Sequence, residues 1–305
     1  MSTTGEPPVA YDEFGLFAEN IAEFDLAVDP DHLPPVERLD TPIPGTNRHV
    51  SALRWGSGPV ERIFLHGGAQ NAHTWDTVIL ALGAPALAID LPGHGHSSWR
   101  DDAGYNPMNM ADDVAEVVTA LAPQAVQVIG MSLGGLTSME LAARHSELVR
   151  SLVMVDITPG VNSEKTKAIT DFVNGPQSFQ RFDDLLARTI EHNPTRSESS
   201  LRRGILHNAH QLPDGSWEWR YDRGGRRQTE GAAATGPPVE LPDMWAHFAA
   251  VACPLTLVRG GTSPVVDDDD VAEARRRQPE ITVHVVEGAG HSVQGDRPVE
   301  LAALL

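Results

Sequence analysis

Apolar and polar positions along the chain follow two rhythms. Short apolar runs of strand length recur at residues 49–55, 62–65, 85–90, 125–129, 151–155, 254–259 and 281–286. Between and after them lie stretches with helical spacing: 110–121, with Val114, Val117, Val118 and Leu121 on one face, then 136–145, 268–277 and 297–305. Short apolar strands alternating with helices predict an α/β fold, a doubly wound and mostly parallel sheet covered on both faces. Ligands of such sheets lie at the carboxyl ends of the strands. His66, Asp90, Ser132, Asp156, Ser263 and His291 each follow one of these apolar runs.

Two regions break the rhythm. Residues 1 to about 9 read as a disordered tail, and Phe14, Phe17, Ile21 and Phe24 then recur at helical spacing among acids. That spacing predicts an amphipathic helix packed on the main body; an exchanged arm in a homodimer is the alternative. The stretch 29–45 is rich in proline and reads as a linker, so that 1–44 forms an N-terminal extension. From about 160 to 245 the chain is polar, helix-like and interrupted, with helical stretches near 179–190 and 201–210 and a Trp-rich piece, 214–222.

The densest chemistry sits at Gly130-Met131-Ser132-Leu133-Gly134, a G-x-S-x-G between a strand-type run and a helix-type run. A sharp strand-to-helix turn strains the serine backbone and lifts its hydroxyl above the sheet edge. On its own the motif is common, and a serine helix cap is its bland reading. An alcohol needs a base to become a nucleophile, and a third group to orient that base. His291 follows the last strand-type run in Gly288-Ala289-Gly290-His291, where it can turn back over the sheet. The orienting acid is Asp156, after the strand-type run that follows the serine, or a member of the aspartate run 267–270. That run more simply caps a helix. Asp156 is therefore preferred, with Ser263 as an auxiliary hydrogen-bond partner of His291. The N–H groups of Leu133 and Gly68 are the expected oxyanion donors, and His66 the brace of the loop that carries Gly68. Trp75 and Met131 adjoin these groups and are expected to border substrate. Trp217 and Trp219, with Phe179, Phe182, Trp245 and Phe248, are candidates for an apolar pocket or for local core.

Together HGGAQNAHTW (66–75), DLPGHGHSS (90–98), GMSLGG (130–135), VDITP (155–159), RGGTSP (259–264) and GAGHSVQGDRP (288–298) resemble the α/β-hydrolase superfamily, in its order, over roughly 45–305. The resemblance implies Ser132 as nucleophile, His291 as base, and Gly68 with Leu133 as oxyanion hole. It further implies a core of 45–159 and 246–305 and a helical cap of 160–245. Asp90 and His94 match a structural turn of the family. Most members carry the acid where this chain has Ser263. An aspartate at the Asp156 position paired with a serine at the Ser263 position looks like the small bacterial esterase branch. A serine nucleophile disfavours haloalkane dehalogenase and epoxide hydrolase chemistry, which uses aspartate there.

Composition narrows the rest. A net charge of −19 argues against nucleic acid and anionic membranes as partners. Cys253 is the lone cysteine, so no disulfide within the chain is expected. No basic, apolar leader and no run of about 18 apolar residues is visible, so a cytoplasmic enzyme is the default expectation. No cofactor and no metal is called for; the spacing of His94 and His96 is a weak zinc signal. The expected activity is hydrolysis of small to medium carboxylic esters through an acyl-enzyme. The rivals are carbon–carbon bond hydrolase, lactonase or perhydrolase chemistry on one scaffold, and a slowly turning-over ligand receptor.

Overall fold

The computed structural model of the chain describes residues 9–223 and 243–305. The expected disordered start, and residues 224–242 of the 160–245 region, lie outside the described residues. The first half runs β1 (Val36–Pro42), β2 (His49–Trp55), β3 (Arg62–Leu65), α2 (Asp76–Leu82), β4 (Ala86–Ile89), α3 (Pro107–Leu121), β5 (Gln127–Met131), α4 (Leu133–Arg144) and β6 (Leu152–Val155), preceded by α1 (Phe17–Phe24). The second half of the sheet is β10 (Leu255–Gly260) and β11 (Thr282–Val286), interleaved with α8 (Met244–Ala250) and α9 (Asp268–Arg277) and closed by α10 (Val293–Asp296) and α11 (Pro298–Ala302). Between β6 and α8 lie α5 (Lys167–Val173), α6 (Phe182–His192), α7 (Glu198–Asn208) and a small antiparallel sheet of β7 (Ser178–Phe179), β8 (Ala209–Gln211) and β9 (Trp217–Trp219).

The main sheet has eight strands in the order β1-β2-β4-β3-β5-β6-β10-β11, parallel from β4 onward and antiparallel at β1–β2 and β2–β4. Its strands alternate between two cores, as a period of two requires. Ile63, Leu65, Val128, Leu152 and Met154 join one apolar cluster, with α3 and α4. Phe64, Ile129, Val153 and Val155 join the other, with Trp75, Val78, Leu80 and the α1 residues Phe17 and Ile21. The α1 helix thus packs on its own chain, and the Phe17 ring lies 4.7 Å from that of Trp55.

The linker expected at 29–45 is partly a strand. Residues Val36–Pro42 form β1, paired in register with β2, so the sheet begins inside the expected extension of 1–44. Prolines 34, 35 and 42 hid it. Proline cannot donate to a ladder, but it is tolerated at the ends of an edge strand, and β1 is an edge. The final helix, expected over 297–305, is shorter: α11 starts at Pro298 and ends at Ala302, and the short α10 precedes it as a separate turn.

Candidate active site

The loops after β3, β5, β6, β10 and β11 bring the candidate residues to one end of the sheet. Ser132 stands between β5 and α4 at φ 52°, ψ −119°. A non-glycine residue in such a conformation costs about 1–3 kcal/mol and persists only where the surroundings impose it. Here they do. The Ser132 N–H donates to Val155 O at 3.1 Å, and the Leu136 N–H donates to Ser132 O at 3.0 Å. The flanking glycines permit the approach: a Cβ on Gly130 would sit 2.3 Å from Gly134 O, and one on Gly134 2.3 Å from Leu65 O.

The carboxylate that meets His291 is that of Asp156. His291 Nδ1 lies 2.8 Å from Asp156 Oδ2. The same carboxylate accepts from the Gly260 N–H at 2.8 Å and from the Ser263 hydroxyl, and Asp156 is fully buried. Two donors therefore fix the carboxylate, and the carboxylate fixes the imidazole with Nδ1–H toward it. His291 Nε2 is left buried without a hydrogen-bond partner. It shares with Ser132 a cavity of about 250 Å³ that Gly67, Gly68 and Met131 also line. The aspartate run lies elsewhere. Asp267 caps α9 in a reciprocal box with Asp270, Lys165 pairs with both, and Asp268 pairs with Arg259. Ser263 is as expected beside the site, but it bonds the acid and not the histidine.

Leu133 is the first residue of α4, so its N–H belongs to the helix start, where no helical carbonyl can accept it. Gly68 follows β3 in a loop held from behind. His66 donates from Nδ1 to Gly67 O (2.7 Å) and accepts the Leu91 N–H at Nε2 (2.9 Å). His94 Nε2 accepts the Ala69 N–H at 3.1 Å, and the Asn208 amide donates to Ala69 O at 2.7 Å. Burial, reinforced by the neighbouring His94 imidazole, pushes the His66 pKa down to about 3. A neutral ring suits its split donor and acceptor roles. Asp90, fully buried, accepts from the Ala72 and His96 N–H groups and from Arg38, which makes it a turn brace.

Several expected pocket residues sit elsewhere. Trp75 is wholly buried against Phe64 in the core and does not line this cavity. Trp217 is core of the inserted region, edge-on to Phe182. Trp219, two residues along the same strand, lies in that core as well and borders a second cavity of about 140 Å³. Phe179, Phe182, Trp245 and Phe248 line neither cavity. Met131 does border the site. The apolar wall facing it comes instead from Ile169, Phe172 and Val173 of α5. Their i, i+3, i+4 spacing was the signal for this wall.

A model of the α/β-hydrolase fold matches residues 63–298. The chain belongs to that family. It is 44% identical over 301 residues to the esterase Rv0045c of Mycobacterium tuberculosis, covering 96% of this chain and 94% of the relative. A structure of that esterase, from work on its transition metal inhibition and structural refinement, aligns with TM-score 0.82 over 97% of this chain and 98% of its own. The 2-(acetamidomethylene)succinate hydrolase of Mesorhizobium japonicum is 30% identical, covering 80% of this chain and 85% of the relative.

Proposed function

We propose that the protein is a serine hydrolase that cleaves carboxylic esters of small to medium size through an acyl-enzyme. The observation that carries this reading is the His291–Asp156 hydrogen bond, which leaves an unpartnered Nε2 in the cavity that Ser132 lines. In the proposed reaction His291 Nε2 takes the Ser132 proton as Oγ attacks the ester carbonyl. Asp156 orients the ring and stabilises the imidazolium. The Gly68 and Leu133 N–H groups receive the oxyanion. Collapse expels the alkoxide, which takes the proton from His291. His291 then deprotonates a water that attacks the acyl-enzyme carbonyl; as the Ser132 Oγ–acyl bond breaks, Oγ takes that proton back from His291 and the carboxylic acid leaves. The 44% identity to an esterase over nearly the whole chain supports ester bonds as the substrate. The apolar wall of Met131, Ile169, Phe172 and Val173 supports an uncharged, short acyl group. The described part of residues 160–245 acts in this reading as a cap, shaping the cavity through residues such as Lys165, Phe172 and Asn193.

Steady-state hydrolysis of p-nitrophenyl esters of stepped acyl length tests the proposal. The expected result is multiple turnover with a maximum at short to medium chains. A single stoichiometric release of p-nitrophenol at every length would instead make the protein a receptor that reacts once.

A further inference from the structure

Outside the serine site, His73, Asp76 and His207 bring two imidazoles and a carboxylate together, with their ligand atoms within 4.8 Å of one another. All three are buried, at 8%, 1% and 4% exposure, and all three line the second cavity. We infer that they form a binding site for a divalent d-block cation such as zinc, nickel or cobalt.

The geometry of the surrounding groups supports this more than the cluster itself does. His73 Nδ1 lies 2.8 Å from Asp76 Oδ2, while its Nε2 faces Glu13 Oε1 at 3.2 Å. His207 Nε2 lies 3.9 Å from the same Asp76 oxygen, while its Nδ1 meets the Tyr11 hydroxyl at 2.7 Å. Each ring therefore turns one nitrogen toward the Asp76 carboxylate and has the other fixed by an outer polar group. Ligating histidines are oriented in this way, by a carboxylate or hydroxyl on the far nitrogen. The second Asp76 oxygen, Oδ1, is buried with no hydrogen-bond partner, although an unpaired carboxylate oxygen is costly to bury. The two rings stack at 3.8 Å between centroids and 11° between planes, and imidazole lone pairs lie in the ring plane, so an ion held by both inner nitrogens requires one ring to rotate out of the stack.

Binding replaces the proton shared by His73 Nδ1 and Asp76. Metal bonds of about 2.0–2.2 Å place neighbouring ligand atoms about 3.4 Å apart, so the His73–Asp76 pair at 2.8 Å opens and the His207–Asp76 pair at 3.9 Å closes. The adjoining space of about 140 Å³ admits water to the open position. Two nitrogens and one oxygen favour a borderline metal over magnesium or calcium, which prefer all-oxygen sites. The ion would join the turn ahead of α2, which carries His73, and the first residue of α2, Asp76, to α7 of the inserted region. Through Glu13 and Tyr11 it would hold the N-terminal segment as well.

Crystals of the full chain soaked in zinc chloride, with data collected on both sides of the zinc edge, test the inference. An anomalous peak about 2.1 Å from His73 Nδ1 and His207 Nε2 is expected. A peak confined to His291 or the surface, or none, overturns it. In solution, cobalt titration is expected to give visible d–d bands at one equivalent. These bands persist in His291→Ala and disappear in Asp76→Asn and His207→Gln, each first shown to unfold cooperatively without metal. Bands lost in His291→Ala and kept in Asp76→Asn assign the metal to the serine site and reject the inference. The diffraction result decides alone if either variant fails to fold. Neither readout depends on ester turnover, so failure here leaves the serine reading intact.

Discussion

The strand ends of the main sheet and the inserted region between β6 and α8 hold their side chains in different ways. At the strand ends each functional group is fixed by backbone that the sheet itself positions. Gly260 and Ser263, after β10, hold Asp156 after β6, and Asp156 holds His291 after β11. The inserted region has its own small core, in which Leu185, Ile205, Leu206, Trp217, Trp219 and Tyr221 pack together. Its polar groups instead face a cavity against the body, where Asn20 Oδ1, Asp76 Oδ1 and Gln294 Oε1 are buried without partners. The first region is set by topology and tolerates little. The second is set by side-chain packing, and its described residues line the cavity beside Ser132 and His291.

Five substitutions sharpen that contrast. The largest effect belongs to Asp156→Asn, expected to lower kcat about 10⁴-fold by presenting the wrong hydrogen-bonding partner to His291. Asp268→Asn, on the exposed start of α9, is expected to leave kcat within about twofold, because surface changes away from special features are small. Equal losses in the two would remove the distinction between them. Trp217→Ala empties a packed site in the inserted core and is expected to lower stability by about 3–5 kcal/mol in denaturant titration. The binding of a small active-site inhibitor should survive it, and loss of that binding without loss of stability would return Trp217 to the pocket.

A more gradual effect, spread over several pH units, comes from His66. Its pKa is about 3 when folded against 6.5 for an ordinary histidine, so the unfolded chain takes up a proton that the folded one refuses. Stability from this group is complete above pH 6.5 and falls by about 1.4 kcal/mol per unit as pH drops toward 3. His66→Gln should flatten that part of the profile of unfolding free energy against pH; an unchanged slope would place the acid sensitivity elsewhere. The smallest effect is expected from Phe172→Ala. Phe172 borders both cavities, so its removal joins them. The ratio of kcat/KM for long over short acyl esters should rise about three- to tenfold. A fall in that ratio would separate Phe172 from acyl selection.

The same contrast explains what was legible in the sequence. Strand-end chemistry is written locally: a G-x-S-x-G after an apolar run, and histidine after glycines that follow another. The choice of Asp156 over the 267–270 run rested on helix-cap chemistry, and Asp267 does cap α9. The side chains of the inserted region were not legible, because an aromatic residue fits a pocket wall and a local core equally well by composition. Trp217 and Trp219 alternate with Glu218 across β9, a period of two that points both into the inserted core. The β1 strand was masked by prolines that an edge accommodates. His73, Asp76 and His207 had no shared motif, since only tertiary packing of α7 against the start of α2 brings them together.

The central claim is that Ser132 is the nucleophile activated by His291. The most direct test is intact mass spectrometry after treatment with a fluorophosphonate ester, followed by peptide mapping. The account predicts one adduct per chain, on Ser132, formed rapidly in the wild type and at least about 10³-fold more slowly in His291→Ala. An adduct on any other residue, or equal labelling rates in the two proteins, would contradict it.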